Sequence, residues 1–321
     1  MTDWPLKVIA LWLMATVLTS LLSAAAYPVA ARWMAQLTPA LRARLRLAYA
    51  LSAPACALLA VVLVSRPELA GLLIPAHCHG QQCTAHLPMY PGESPLLSSL
   101  AIAGSLSALL TLVVLLWALR RSHRQAKLLR AFARRSTGGF QLLDSDDLLA
   151  CCVGLWRPKI VLSRGLVDQL NPDELRIVLA HERAHMARND NVCALLLRWA
   201  TLFWPAALGQ RIGTDMHADA EQACDIAAAR AVASPARVAA VVNKLARLSA
   251  RTSAVSPAAD ALDRDARGRL RTLADARCTA RSSLSGWLQA SACLSLSWCI
   301  QVPLLTSLSH PAIEWLGALA A

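Results

Sequence analysis

His181 and His185 stand four residues apart in "LAHERAHMARND", residues 179–190, with Glu182 directly after the first histidine. Residues i and i+4 of a helix share a face, so the two imidazoles can hold one ion between them. Glu182 is turned partly aside, where a carboxylate can take the proton of a water activated by that ion. The chemistry offered is zinc-assisted hydrolysis, which needs a third protein ligand and leaves the fourth position to water. "HADAEQACDIAA", residues 217–228, offers Glu221 as that ligand. Asp225, four residues later on the same helix face, would accept the free N–H of a ligand histidine and fix its tautomer. His217 lies on this face too, as an alternative ligand, a group on the substrate side, or an ordinary surface histidine.

Certain elements must position these residues. "NPDEL", residues 171–175, is a helix start: Asn171 as N-cap, Pro172 at the first helical position and Glu174 closing a capping box. The pattern predicts a helix from 172 to about 187. "KIVLS", residues 159–163, is short, aliphatic and bounded by Pro158 and Gly165, the signature of a strand. Its place in the chain suggests the edge strand that lies along such active sites and pairs with extended substrate. The apolar stretch 192–209 is a test. One membrane crossing there would put Glu221 on the opposite side from His181, so a shared ion requires the stretch to pack on the domain or rest at the membrane surface. Arg198 in its middle and Pro205 near its end agree.

The chain around this motif is greasy: 321 residues, 56% of them hydrophobic. Apolar runs at 6–26, 47–64, 96–119 and 284–308 each approach the roughly 20 residues needed to cross a bilayer, with Pro54 and Pro303 inside the second and fourth. Arg32, Arg42, Arg44 and Arg46 follow the first run, and seven Lys and Arg residues between 120 and 135 follow the third. Residues 66–95 carry one basic residue, and none follows Arg281. The positive-inside rule then places the N-terminus outside, 120–283 in the cytoplasm and the C-terminus outside. The expected fold is a mainly α, multi-pass protein of the inner cell membrane: three transmembrane helices with an outer loop at 66–95 (residues 1–119), a cytoplasmic α+β zinc peptidase domain of the gluzincin kind (120–283), and a fourth helix with a short outer tail (284–321). Much of the net charge of +12 sits where the inner leaflet holds it, so the partner it implies is the lipid bilayer and no direct nucleic-acid contact is expected.

The ten cysteines divide along the same line. Cys151, Cys152, Cys193, Cys224 and Cys278 fall in the inner region, where thiols persist, without CxxC spacing. In the outer loop, "HCHGQQC" brings together His77, Cys78, His79 and Cys83, with His86 just beyond. This set suits a zinc or copper sensor. The plainer reading is a loop closed by a Cys78–Cys83 disulfide.

"GLWRPKIVLSRGL", "LNPDELRIVLAHERAHMARNDN", "LFWP" and "AEQACD", in this order, resemble the BlaR/MecR-type membrane zinc metallopeptidases. The resemblance implies His181, His185 and Glu221 as Zn²⁺ ligands, Glu182 as general base and Asp225 as the carboxylate behind a ligand histidine. It also implies a role: an external signal switches a cytoplasmic peptidase that triggers cleavage of a transcriptional repressor, here a cytosolic protein such as a winged-helix repressor. Ser163 replaces the proline usual at the end of the strand motif, and the chain stops at Ala321, so no penicillin-binding sensor domain is expected. Two other readings stand beside this one. A housekeeping or prenyl-protein HExxH membrane protease is the first, although such proteins tend to place two spans between HExxH and the third ligand. The second is a non-catalytic membrane transducer whose peptidase fold only binds a partner.

Overall fold

A computed structural model describes residues 4–64, 77–79, 82–84, 95–136, 138–252 and 258–275, together with 288, 291, 292, 295 and 298–307. Helices α1 (Trp4–Met34) and α2 (Pro39–Val64) form a hairpin. Ala24, Ala50, Ala53 and Ala57 are fully buried, and such small side chains let membrane helices approach closely. The helix expected from residue 47 begins at Pro39, so Arg42, Arg44 and Arg46 occupy its first turns rather than a loop. Strands β1 (His77–His79) and β2 (Gln82–Thr84) pair antiparallel, with Cys78 opposite Cys83. The side chains of His77, Cys78, His79 and Cys83, and all of His86, lie outside the described residues.

Helix α3 (Pro95–Phe132) is one piece, so the domain start expected at 120 falls inside a helix. Leu106, Leu109, Leu110 and Trp117 on it are exposed. Among the described residues, three helices are long and apolar enough to cross a membrane: Trp12–Met34, Pro39–Leu63 and Ile102–Leu129. The span expected at 284–308 lies largely outside the described residues. Its residues 298–307 are helical, and Val302 and Leu305 pack on Cys56 and Ala60 of α2.

After α3 the chain forms a sheet of β3 (Ala133–Arg135), β4 (Gln141–Leu143), β5 (Ala150–Val153) and β6 (Lys159–Ser163), in the order β3-β4-β6-β5. The strand expected at 159–163 is therefore present, but it is central: it pairs parallel with β4 and antiparallel with β5. The edge strands are β3 and β5. Being central explains the continuous apolar run of β6. Ile160 and Leu162 face the main core, whereas Val161 faces Ala126 of α3. Ser163 does more than replace a proline. Its buried hydroxyl donates to the Asp147 carbonyl at 2.5 Å and accepts from the Leu149 N–H at 2.9 Å, and it caps α4 (Arg164–Gln169). Gly165 lies so close to this loop that a Cβ would sit 2.1 Å from the Asp146 carbonyl oxygen.

Helix α5 (Pro172–Arg188) opens with the complete capping box, both the Asn171 side chain and the Glu174 side chain making their bonds. Ile177, Val178 and Leu179 bury its other face with Ile160 and Leu162. The chain then enters α6 (Asp190–Ala200), turns at 201–205 and returns as α7 (Ala206–Ala231). Eleven residues rise only about 16 Å, too short for a bilayer core. The stretch 192–209 is thus a helix and a reversal, not one crossing. Trp204, from "LFWP", pins that turn to the membrane hairpin, with ring centroids 5.8 Å from Tyr27 and 6.2 Å from Tyr49. Helices α8 (Pro235–Thr252) and α9 (Ala258–Ala274) complete the domain, bringing Val238, Val241, Val242 and Leu273 into its core.

Candidate metal centre and active site

Helix α5 sets His181 and His185 one turn apart, and α7 crosses it so that Glu221 meets both. The two Nε2 atoms are 3.1 Å apart, with Glu221 carboxylate oxygens 3.4 Å from the first and 3.2 Å from the second. Tetrahedral zinc with bonds of ~2.0–2.1 Å holds its ligand atoms about 3.3 Å from one another, so the three donors have the spacing such an ion requires.

Each imidazole is fixed from behind by a carboxylate. His181 Nδ1 lies 2.9 Å from Asp225 Oδ1, and His185 Nδ1 lies 2.8 Å from Asp190 Oδ2. With Nδ1–H donated outward, both Nε2 lone pairs point at each other and at a carboxylate. Only a cation or a proton relieves that concentration of lone pairs. The electrostatics agree: burial works against charging His185, but its bonds to Asp190, Cys224 and Glu221 outweigh it and push its pKa up to about 12. His181 is raised in the same way by Asp225 and Glu221 despite burial. Burial would raise Glu221 and Asp225, yet the two histidines and Arg269 hold Glu221, and Arg269 and His181 hold Asp225, below the usual carboxylate range. The cluster is built to keep positive charge at its centre.

Glu182 is buried beside the cluster and lines a cleft of about 1220 Å³ that also reaches His181, His185, Glu221 and His217. His217 is exposed on the cleft wall and is not among the converging groups. Of the residues singled out from the sequence, then, His181, His185, Glu221, Asp225 and Glu182 come together.

Three partners escaped the sequence reading. Asp190 follows Asn189, whose left-handed backbone (φ 55°) ends α5 and folds the next residue back toward His185. Its signal was present, one residue past the helix. Arg269 reaches in from α9 with bonds of 2.7 Å to each oxygen of Asp225 and a contact of 3.1 Å to Glu221. Nothing local separates it from its neighbouring arginines. Cys152, on β5, places its sulfur 3.0 Å from the Glu182 carbonyl oxygen and 3.3 Å from Oε2. Burial and the neighbouring Glu182 push this thiol up, so it stays protonated and donates. Cys151, Cys152, Cys193 and Cys224 all carry free thiols, whereas Cys278 lies outside the described residues.

A model of the BlaR1 peptidase M56 family matches residues 97–239. Over these residues the chain is similar to the BlaR/MecR-type peptidases. The M56 match takes in the sheet, α5, α6 and α7, and with them all five convergent residues of the motif pair. Helices α1 and α2 precede it, and Arg269 follows it. No curated protein and no solved structure matches the chain.

Proposed function

We propose that the protein is an integral-membrane zinc endopeptidase, with its peptidase domain in the cytoplasm of a multi-pass inner-membrane protein, and that it transduces a signal by cleaving a cytosolic protein such as a transcriptional repressor. The observation that carries this reading is the convergence of His181, His185 and Glu221 donor atoms beside the buried carboxylate of Glu182. Zinc held there would polarise a peptide carbonyl and acidify a water. Glu182 takes the proton of the attacking water and delivers it to the leaving amine nitrogen. Asp225 and Asp190 keep the histidines in the tautomer that turns Nε2 inward. The Cys152 thiol donates to the Glu182 carboxylate and steadies it.

The substrate would lie along β5, the sheet edge nearest Glu182, as an added strand. Asn191 already donates to the Cys152 carbonyl at 2.9 Å and the Gly154 carbonyl at 3.0 Å, which marks that side of β5 as outward-facing. By the two-residue period of a strand, Ala150 presents its N–H and carbonyl to the same side. The sidedness is supported by α2, whose basic first turns bond to α7 and so share a side with the metal centre.

The test is Glu182→Gln in the full chain. Zinc content should stay at that of the wild type while cleavage products, followed by N-terminal peptide profiling of cells, fall by about 10²-fold, as for loss of a general base. Identical products from both proteins would refute the catalytic reading.

A further inference from the structure

Helix α7 carries a second polar stripe, on the side away from the histidines. Asp215, Asp219 and Gln222 lie along it, and their partners come from the membrane hairpin. Arg42 Nε donates to Asp219 Oδ1 at 2.6 Å, and Arg46 Nε donates to Asp219 Oδ2 at 2.7 Å, so one buried carboxylate is gripped by two guanidinium groups from successive turns of α2. Arg46 also reaches Asp215 at 3.3 Å and donates to the Tyr27 hydroxyl, which in turn donates to Asp215 at 2.6 Å. Arg42 further donates to Gln222 Oε1 at 2.7 Å, and that oxygen accepts from Thr272 of α9 at 3.0 Å. Thr272 lies three residues after Arg269, which holds Glu221 and Asp225.

An apolar contact would let α7 slide or roll against α2. Two guanidinium forks on one carboxylate fix both its axial position and its rotation, because each N–H···O bond is directional. Asp219 and Glu221 are two residues apart, about 200° around the helix. A roll of α7 that moves Asp219 therefore swings Glu221 the opposite way, toward or away from His181 and His185.

We propose that Arg42 and Arg46 are positioning residues for Glu221, so that the α1–α2 hairpin decides whether the three-donor metal centre is complete. This rests on the zinc reading above and adds the route by which a displacement of membrane helices reaches the metal: α2 to Asp219 and Gln222, then to Glu221 directly and through α9.

The experiment measures zinc affinity of the detergent-solubilised full chain by chelator competition, alongside the unfolding midpoint of the zinc-free protein. Arg46→Met and Arg42→Met should each weaken zinc binding by at least about tenfold, the loss typical of disturbing groups behind metal ligands. Arg42→Lys, which keeps a charge near Asp219, should restore most of that loss. Arg42 is the more exposed of the two, so its series carries the test should Arg46→Met fail to fold. A merely structural contact would lower the zinc-free midpoint and leave zinc affinity unchanged in the folded Arg42 variants. That result overturns the proposal while the zinc site stands. A wild-type chain that binds no zinc overturns both.

Discussion

The two sides of α7 use the same kind of material for different ends. Toward α5, Glu221 and Asp225 meet His181 and His185, at a centre where donor atoms converge on a point. Toward α2, Asp215 and Asp219 meet Arg42 and Arg46, two carboxylates against two guanidinium groups. A buried polar cluster with converging, unspent lone pairs is a site for a ligand, whereas one in which every lone pair already has a donor is a joint. Burial alone does not separate them: Asp219 and Asp225 are both nearly inaccessible.

The sharpest way to break this contrast is sidedness, which is all or none. Reporter fusions after Arg135 and after Gly209 should fall on one side of the membrane, because α6 turns back before crossing. Opposite sides would detach Glu221 from the histidines and dissolve the converging face. The next largest effect is on metal. His181→Ala with His185→Ala should abolish the approximately one zinc per chain expected of a three-ligand site, read by metal analysis of purified protein. Full zinc in the double variant would move the metal elsewhere.

Finer substitutions grade the converging face. Asp225→Asn leaves His181 without its carboxylate and Arg269 without a bidentate partner, so zinc affinity should fall by about 10–100-fold. Asp190→Asn acts on His185 from a less buried position, 15% exposed against 2% for Asp225, and should sit at the lower end of that range. Wild-type affinity in both variants would mean that neither carboxylate orients its histidine. The smallest effect lies outside both faces. Asn171→Ala removes one side of the capping box and should cost about 1 kcal/mol in thermal or denaturant unfolding, with zinc affinity unaltered.

The converging face was legible in the sequence because helical geometry fixes the i, i+4 spacing and because His and Glu together are rare in an apolar chain. The capping box at Asn171 and Glu174 was legible for the same local reason, and so was the strand at 159–163. What depends on distant pairing was not. The sheet position of that strand is set by β5 and β4, so a local pattern revealed a strand but misplaced it at the edge. Arg42 and Arg46 read as charges that orient a membrane protein, and their partners lie more than 170 residues further along the chain. Arg269 is hidden by a shorter but still non-local separation of 44 residues from Asp225, and Asp190 by a backbone turn of one residue at Asn189.

Cys152 gives the cleft a chemical clock. Its thiol stays protonated because it is buried against the Glu182 carboxylate, and alkylating reagents attack the thiolate. Modification at neutral pH is therefore slow for two separable reasons, burial of the thiol in the cleft and the negative charge of its neighbour. Exchanging Glu182 for a neutral residue lifts the second brake and leaves the first. The ratio of labelling rates in the two proteins then reports what the Glu182 side chain does to the thiol, and the rate in the neutral variant reports what burial alone imposes.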